Sequence, residues 1–202
     1  MFEIKLAQSQ KELSAIYHFR YRIYIEEMQR IQHDADHVNK TIIDEMDEGA
    51  FHLIALKDAE MIGVARINLG KTISQYYLDF YKILIQPDAK INNTSVITRL
   101  MFANNFRGNI YVYKMFLACY EFGLWQGIKF NFIDCDNKSA NLYESVGCKK
   151  YLGQVKHKEH VESNPMIIDL HDEALFKQIN SPFLKPYLKW KNADLNIIRN
   201  QA

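Results

Sequence analysis

The position of Arg20 is the first feature that needs a chemical explanation. Apolar residues recur at helical spacing through residues 13–24, and Arg20 falls in the middle of that apolar face. A guanidinium buried there needs a carboxylate partner, because an unpaired buried charge costs roughly 3–5 kcal/mol. The segment 29–49 that follows is rich in acids and has no sustained period, which is typical of a long functional or mobile loop.

A second candidate site lies where a turn leads into a predicted helix. Arg107, Gly108 and Asn109 directly precede the helix expected at residues 110–126. The first backbone N–H groups of a helix and its positive dipole end can bind an anion such as a phosphate. Without further information, the residues indicate an α/β domain with a phosphate-bearing ligand near residues 107–111.

His33 and His37 have the i,i+4 spacing of a helical metal pair, with acids between them. The alternative is a solvated loop, which fits the lack of periodicity in this region. We therefore expect no metal.

Composition narrows the class of protein. The chain has 202 residues, 48% of them hydrophobic, which suits one domain with a sizeable core. The formal net charge of +1 argues against binding nucleic acid or membrane surfaces through bulk positive charge. The cysteines, Cys119, Cys135 and Cys148, form no CxxC pair and fit a reducing compartment. With no apolar leader and no apolar run of bilayer length, we expect a cytoplasmic protein without stable membrane insertion.

The patterns predict alternating strands and helices. In chain order these are a strand at 2–7, a helix from Ser9 with Glu12 completing a capping box, a long loop at 29–49, a hairpin of 50–56 and 61–69, a short helix near 76–84, a strand at 95–103, a turn at 104–109, a helix at 110–126, a strand at 129–135, a helix at 138–146, strands at 149–155 and 166–170, and a helix at 172–179. Hairpins combined with two strand–helix–strand crossovers predict a mixed sheet. We expect one domain at residues 1–181 and a C-terminal tail at 182–202.

Residues 137–148, NKSANLYESVGC, resemble the N-x-x-A-x-x-L-Y-x-x-x-G-F segment of the GNAT acyltransferase superfamily. Upstream motifs resemble the acyl-homoserine-lactone synthases and the related long-chain N-acyl amino acid synthases: Arg20-x-x-Ile23-Tyr24, Asp44-x-x-Asp47, Gly63-x-x-Arg66 and Thr98-Arg99. The matches cover roughly residues 15–150. The resemblance implies an α/β, GNAT-like fold with a mixed, mostly antiparallel central sheet flanked by helices.

The resemblance also implies a charged cluster that orders the long loop and frames the substrate cleft. The matching positions are Arg20, Asp44, Asp47, Arg66 and Arg99, with Tyr24 and Thr98 in the same substrate-binding set. A pairing of Arg20 with one of the two aspartates explains a guanidinium on an apolar helix face. The alternative is a set of structural ion pairs without a direct chemical role, and the two roles can coexist.

Two departures from the family pattern bear on the substrate. Val96 stands where the lactone synthases have a glutamate, and Arg30 and Ile31 occupy the region of their tryptophan. An N-acyltransferase acting on another amine therefore fits better than a lactone synthase. The superfamily's R-x-x-G-x-G/A pyrophosphate loop begins here as Arg107-Gly108-Asn109, but Ile110 and Val112 stand where its later glycines are expected. This difference favours a donor with the single phosphate of a carrier-protein pantetheine over the pyrophosphate of coenzyme A.

Acyl transfer to an amine needs a neutral amine, donors to the thioester carbonyl and a proton for the departing thiolate. By resemblance, the backbone at Leu100, Met101 and Phe102 binds the carbonyl oxygen, and Tyr143 is the general acid, or else a tyrosine that only packs on the sheet. Asp44 and Asp47 are candidate bases through a water, as are Glu45 and His52. Binding of the donor's pantetheine arm is assigned to Arg107, Gly108, Asn109, Ile110 and Asn137.

The predicted function is an N-acyltransferase that moves a medium or long acyl group from an acyl-carrier-protein or acyl-CoA thioester to a primary amine such as an amino acid. Two alternatives stay open: an acetyl-CoA-dependent GNAT N-acetyltransferase and a non-catalytic acyl-ligand binding or sensing protein. The expected partners are a small-molecule amine and an acyl carrier protein, with no nucleic acid. The sequence does not define the oligomeric state.

Overall fold

A computed structural model describes residues 1–157 and 162–200. Its helices are α1 (Gln10–Tyr21), α2 (Gln75–Phe80), α3 (Ile110–Trp125), α4 (Ala140–Val146), α5 (Glu173–Gln178) and α6 (Leu184–Asn200). Its strands are β1 (Phe2–Leu6), β2 (Ala35–Asp36), β3 (Thr41–Ile42), β4 (Phe51–Lys57), β5 (Glu60–Leu69), β6 (Thr94–Phe102), β7 (Phe130–Cys135), β8 (Lys149–Lys150), β9 (Val155–Lys156) and β10 (Glu162–Asp169).

Most of these strands form one central sheet. Across the described residues its order is β1-β4-β5-β6-β7-β10-β8, with β9 also paired to β10, and β2 and β3 make a separate small hairpin. The neighbouring strands are antiparallel except for the parallel pair β6 and β7. The predicted mixed, mostly antiparallel α/β sheet is therefore confirmed.

The parallel strands β6 and β7 separate partway along their length. Their pairing within the described residues runs from Thr94 opposite Phe130 to Val96 opposite Phe132, although both strands continue beyond those residues. A bulge lies just past this point, because the register with β5 shifts and Arg99 has a left-handed φ of 53°. Such a bulge bends the strand that carries it. The bend opens a cleft between β6 and β7.

The first helix begins as the sequence predicts. Ser9 caps α1 and the Glu12 side chain accepts the Ser9 backbone N–H, so the capping box is present. Residues Arg22–Glu27 continue α1 as a π-helix, and this segment reaches one end of the cleft. The predicted loop at 29–49 contains only β2, β3 and a 3₁₀ turn at Glu45–Asp47 within its otherwise irregular path.

The sheet has different packing partners on its two faces. Ile97 and Ile133 face the cluster that includes α3 and Tyr143. Val96 and Phe132 face the opposite side, where they pack with α2. Alternation along β7 therefore places Asp134 on the α2 side.

The structure corrects two predicted strands. Residues 149–155 do not form one strand: β8 and β9 are two short pieces, and between them the Tyr151 hydroxyl donates to the Tyr81 carbonyl at 2.7 Å. That side-chain bond holds the intervening chain away from a continuous ladder. The last strand is longer than predicted, since β10 begins at Glu162.

The C-terminal segment packs back on the domain. Phe183 stacks on Tyr120 of α3 with ring centroids 4.2 Å apart, and Tyr187 is buried beside Phe176 of α5. These rings join the main core cluster. Within the described part of the chain, none of the helices is both long and apolar enough to cross a lipid bilayer.

Candidate active site

A cavity of about 340 Å³ lies at the separation of β6 and β7. Residues of both strands, of the π-helical segment and of α4 form its wall, together with Tyr77 of α2 and His157. The predicted site residues found in this wall are Tyr24, Thr98, Arg99, Leu100, Met101, Phe102, Arg107, Gly108 and Tyr143. The volume is within the range of small-molecule sites.

The backbone of β6 offers donors to this cavity. Ala103 N–H donates to the Ile62 carbonyl on β5 at 2.9 Å, so its amide points away from the cleft. Strand alternation then directs the N–H groups of Phe102 and Leu100 toward the cleft. The Phe102 carbonyl confirms this direction, because it accepts from Arg107 Nε at 2.9 Å on that side. These amides are suited to hold a thioester carbonyl oxygen.

Tyr143 stands on the α3 side of the cleft. Its ring meets Phe116 edge-on with centroids 4.8 Å apart, which packs the side chain against α3. Burial raises the pKa of the Tyr143 hydroxyl well above its ordinary value, and the thiol of Cys135 and the carboxylate of Asp134 act in the same direction. The hydroxyl therefore keeps its proton at neutral pH.

Arg107 and Gly108 form the end of the cavity next to the N-terminus of α3. Gly108 has φ 69°, a left-handed turn that favours glycine. Arg107 Nη2 lies 2.8 Å from Glu27 Oε2, and the same oxygen accepts Asn104 N–H at 3.2 Å. The Glu27 carboxylate thus binds Arg107 and the Asn104 amide, which are groups that are also suited to bind a phosphate.

The predicted charged cluster is present behind the cavity. Arg20 Nη1 contacts both oxygens of Asp47, at 2.8 and 2.9 Å, and Arg66 Nη1 pairs with Asp44 and Asp47. Arg99 Nη2 lies 2.8 Å from Asp44 Oδ2. The expected pairing of Arg20 with a loop aspartate is confirmed, and it holds the 3₁₀ turn against α1.

The pKa values in this cluster follow from its pairing. Burial alone would raise the pKa of Asp44, but Arg66 and Arg99 hold it well below its ordinary value. Burial also acts to raise the pKa of Asp47, but Arg20 and Arg66 lower it below its ordinary value. Burial, reinforced by Arg20, lowers the pKa of His52 to about 4, so His52 is neutral. Carboxylates with low pKa values that are bound by guanidinium groups are weak bases, and this geometry favours a positioning role for Asp44 and Asp47.

The side chains of three predicted donor-binding residues, Asn109, Ile110 and Asn137, are not placed to bind a donor in the cavity. The Asn137 side-chain oxygen accepts from Asn164 Nδ2 at 2.9 Å, which ties the segment before α4 to β10. Asn137 is not among the described residues of the cavity wall. Ile110 has an exposed side chain, and Asn109 caps α3 without a side-chain bond. At Asn109 and Ile110 it is the backbone amides, at the N-terminus of α3, that can serve a ligand.

The structure also brings together residues that the sequence analysis did not select. Asp134 lines the cavity, and its carboxylate accepts hydrogen bonds from Tyr81, at 2.6 Å, and from Ser163. Tyr77 and His157 form an aromatic wall beside it, with 3.3 Å between the Tyr77 hydroxyl and His157 Nε2. A carboxylate in the interior of the strand FNFIDC was the available signal for Asp134.

The geometry of the described residues supports neither a metal site at His33 and His37 nor a nucleophilic cysteine at Cys135. Residues 35 and 36 are in β2, so His33 and His37 do not share a helix face, and His37 Nδ1 is 2.9 Å from the Tyr21 hydroxyl. Among the described residues, His, Cys, Asp and Glu do not form a group of three that could hold a metal. Burial raises the pKa of Cys135 to about 12, which leaves the thiol protonated and unsuited as a nucleophile.

Comparisons with known proteins agree with this architecture. Residues 19–116 match the acetyltransferase (GNAT) domain family. No curated protein sequence matches the chain significantly.

Solved structures share the fold at low sequence identity. The CoA-dependent acyl-homoserine lactone synthase BjaI, with SAM and isopentyl-CoA, has a TM-score of 0.68 at 17% identity over 90% of this chain and 91% of its own. The N-acyl amino acid synthase FeeM from uncultured soil microbes has 0.70 at 10% identity, covering 92% of this chain and 97% of its own. A putative N-acetyltransferase from Lactobacillus plantarum has 0.60 at 16% identity, covering 84% and 98%.

These findings confirm the resemblance on which the sequence analysis relied. The cleft between β6 and β7 lies in the same fold as that of the lactone and amino acid synthases. The GNAT domain match at residues 19–116 and the shared fold thus agree with an acyltransferase.

Proposed function

We propose that this enzyme transfers a medium or long acyl group from a pantetheine thioester to a primary amine such as an amino acid. The observation that carries the proposal is the cleft between β6 and β7, which combines backbone donors at Leu100 and Phe102 with the protonated Tyr143. Amide formation from a thioester needs this combination at one place.

We propose that the donor binds on the α3 side of the cleft. Its phosphate would meet Arg107 and the N-terminal amides of α3, and its thioester carbonyl would accept from the β6 amides. Ile97, Met101 and Val112 contribute apolar surface to the same cavity, which suits an acyl chain longer than acetyl. Phe116 and Phe132 are buried in the core clusters and are not among the described residues of the cavity wall.

We propose that the acceptor binds on the α2 side. Arg99 lines the cavity there with its guanidinium oriented by Asp44 and by Gln32, and a guanidinium is well suited to recognise a carboxylate. This arrangement supports an amine that also carries a carboxylate, as an amino acid does. FeeM, which shares the fold, is named as an N-acyl amino acid synthase.

An acetyl-CoA-dependent activity is the second candidate, because the matched family is described as an acetyltransferase domain. Parallel assays with acetyl, octanoyl and palmitoyl groups, each on coenzyme A and on acyl carrier protein, separate the two. A preference for octanoyl or palmitoyl donors supports the proposal. A preference for acetyl-CoA overturns the chain-length part of it and supports the second candidate.

A further inference from the structure

We propose that Asp134 is the residue that binds the ammonium group of the acceptor amine and takes its proton. The inference rests on the proposed function, and it assigns the acceptor half of the reaction to a residue that neither the sequence motifs nor the charged cluster includes. It follows from where Asp134 lies, from how its carboxylate is held and from what surrounds it.

Asp134 lies where the two strands separate. It follows Phe132, the last residue of β7 that pairs with β6, by two positions, so its backbone borders the open cleft. Its side chain is on the α2 face, whereas Tyr143 belongs to the cluster on the α3 face. An acceptor at Asp134 would therefore approach the thioester from the side of the sheet opposite the proton donor.

Two hydroxyl groups fix the carboxylate in place. The fully buried Tyr81 donates to Oδ1 at 2.6 Å, and the buried Ser163 donates to Oδ2. A carboxylate oxygen has two lone pairs, so each oxygen can still accept a bond from a ligand in the cavity. Because the two hydroxyl groups fix the orientation of the Asp134 carboxylate, the carboxylate is well suited to bind an ammonium group in one position.

The other carboxylates in the cavity wall have different placements. Asp136 accepts the Ser139 N–H at 2.8 Å and thereby serves the start of α4. Glu162 is exposed at the outer end of β10. Asp134 is thus the carboxylate of this wall that borders both the strand separation and the aromatic surface of Tyr77 and His157.

The reaction step balances through Asp134 and Tyr143. The bound ammonium group gives one proton to the Asp134 carboxylate, which passes it to water, and the freed nitrogen lone pair forms the C–N bond as the carbonyl electrons move to oxygen. The oxyanion electrons then re-form the C=O bond as the C–S bond breaks, and the C–S electron pair leaves with sulfur, which takes the Tyr143 proton. The second proton of the nitrogen restores Tyr143. The products are an amide, a thiol and one proton released to water.

Steady-state kinetics of Asp134→Asn test the assignment. The variant keeps the shape of the side chain and removes its charge, so we expect the KM for the amine to rise about 10- to 100-fold, with the KM for the acyl donor within about twofold of wild type. Asp79→Asn is the matched control, because Asp79 is an exposed aspartate of α2 outside the cavity wall. Its two KM values should equal those of the wild type.

A binding measurement tests the same claim without turnover. L-phenylalanine and 3-phenylpropionate share a ring and a carboxylate, and only the first carries an ammonium group. By saturation-transfer NMR the wild type should bind L-phenylalanine at least about tenfold more tightly, and Asp134→Asn should bind the two equally. Thermal melting of each variant establishes that it is folded, and Ser163→Ala, which removes one orienting hydroxyl, should give a smaller loss.

The outcomes separate this inference from the proposed function. If the wild type transfers acyl groups and Asp134→Asn keeps the wild-type KM for the amine, the Asp134 assignment is wrong and the function stands. If the wild type transfers nothing but shows the Asp134-dependent preference for L-phenylalanine, the amine site stands and the function fails. Equal binding of both probes to the folded wild type overturns the assignment.

Discussion

Arg20 Nη1 lies 2.8 and 2.9 Å from the two carboxylate oxygens of Asp47, a contact that spans 27 residues of sequence. Both side chains are buried, and Arg66 shares the same carboxylate. The pair fixes the turn at Glu45–Asp47, whose neighbour Asp44 then orients Arg99 at the cavity wall. The Arg20–Asp47 ion pair thereby helps to set where the Arg99 guanidinium lies in the cavity wall.

Replacing Arg20 by alanine should destabilise the protein by roughly 3–5 kcal/mol, because it leaves the buried Asp47 carboxylate short of a partner. Residues 29–49 should become more sensitive to proteolysis at the same time. Urea unfolding and limited proteolysis measure the two effects. Lys11→Ala, an exposed change on the same helix, should shift the free energy of unfolding by less than about 0.5 kcal/mol. Equal unfolding curves for Arg20→Ala and wild type would show that the pair has no structural role.

The pH dependence of stability should contain a contribution from His52. Its folded-state pKa of about 4 lies below the ordinary value of 6.5. The unfolded chain therefore binds a proton between these values while the folded chain does not, and stability falls as the pH falls through this window, by roughly 3 kcal/mol. In His52→Gln the free energy of unfolding should change less across that window. A slope identical to that of the wild type would contradict the assignment to His52.

Asp44 and Asp47 extend the acid sensitivity to lower pH. Their folded-state pKa values are below the ordinary carboxyl value, so their stabilising contribution is present above that value and is lost as the pH falls below it. Unfolding curves that continue to weaken below about pH 4 in His52→Gln would show this second contribution. A stability that is constant below that pH would contradict it.

Removing the Tyr143 hydroxyl should slow the chemical step. Tyr143→Phe keeps the edge-on contact with Phe116 and removes the proton donor, and we expect kcat to fall by about 100-fold with little change in melting temperature. Because the pKa of Tyr143 is raised, the wild-type rate should show no loss from Tyr143 ionisation up to its ordinary pKa of about 10. Tyr113→Phe, at an exposed position of α3, is the control. A folded Tyr143→Phe with the kcat of the wild type would exclude the general-acid role.

Glu27 should compete with the donor's phosphate for Arg107. The Glu27 carboxylate lies 2.8 Å from Arg107 Nη2 in a partly exposed pair, so its removal should cost little stability. We expect Glu27→Gln to lower the KM for the acyl donor by about 2- to 10-fold and to leave the KM for the amine unchanged. Glu26→Gln, which alters the neighbouring pair with Lys40, should leave both values unchanged. A higher donor KM in Glu27→Gln would mean that Glu27 helps to hold Arg107 for the donor.

Local signals in the sequence predicted local structure well. The Ser9 and Glu12 capping box and the left-handed Gly147 that ends α4 depend on residues within one turn, so both could be identified from spacing. Arg20 was identifiable as a residue that needs a partner, because a charge interrupted an apolar face. The choice of Asp47 over Asp44 required the structure, since both carboxylates are within reach of the same arginines.

The site itself depends on contacts between distant residues. Asp134 and Tyr81 are 53 residues apart, and Arg107 and Glu27 are 80 apart, so spacing gave no indication of either pair. The left-handed Arg99 could not be anticipated, because a non-glycine residue adopts that conformation only where its surroundings hold it there. Val96 stands where the lactone synthases have a glutamate, and Asp134 lies two residues beyond Phe132, the strand partner of Val96.

Acyl transfer by the wild-type protein is the most direct test of the central claim. Octanoyl and palmitoyl thioesters of coenzyme A and of acyl carrier protein are incubated with pooled amino acids, and free thiol is counted beside the amide identified by mass spectrometry. The account predicts one thiol released per amide formed, and no thiol release above background when the amines are omitted. Thiol release without amide, or no release from any donor by folded protein, would contradict it.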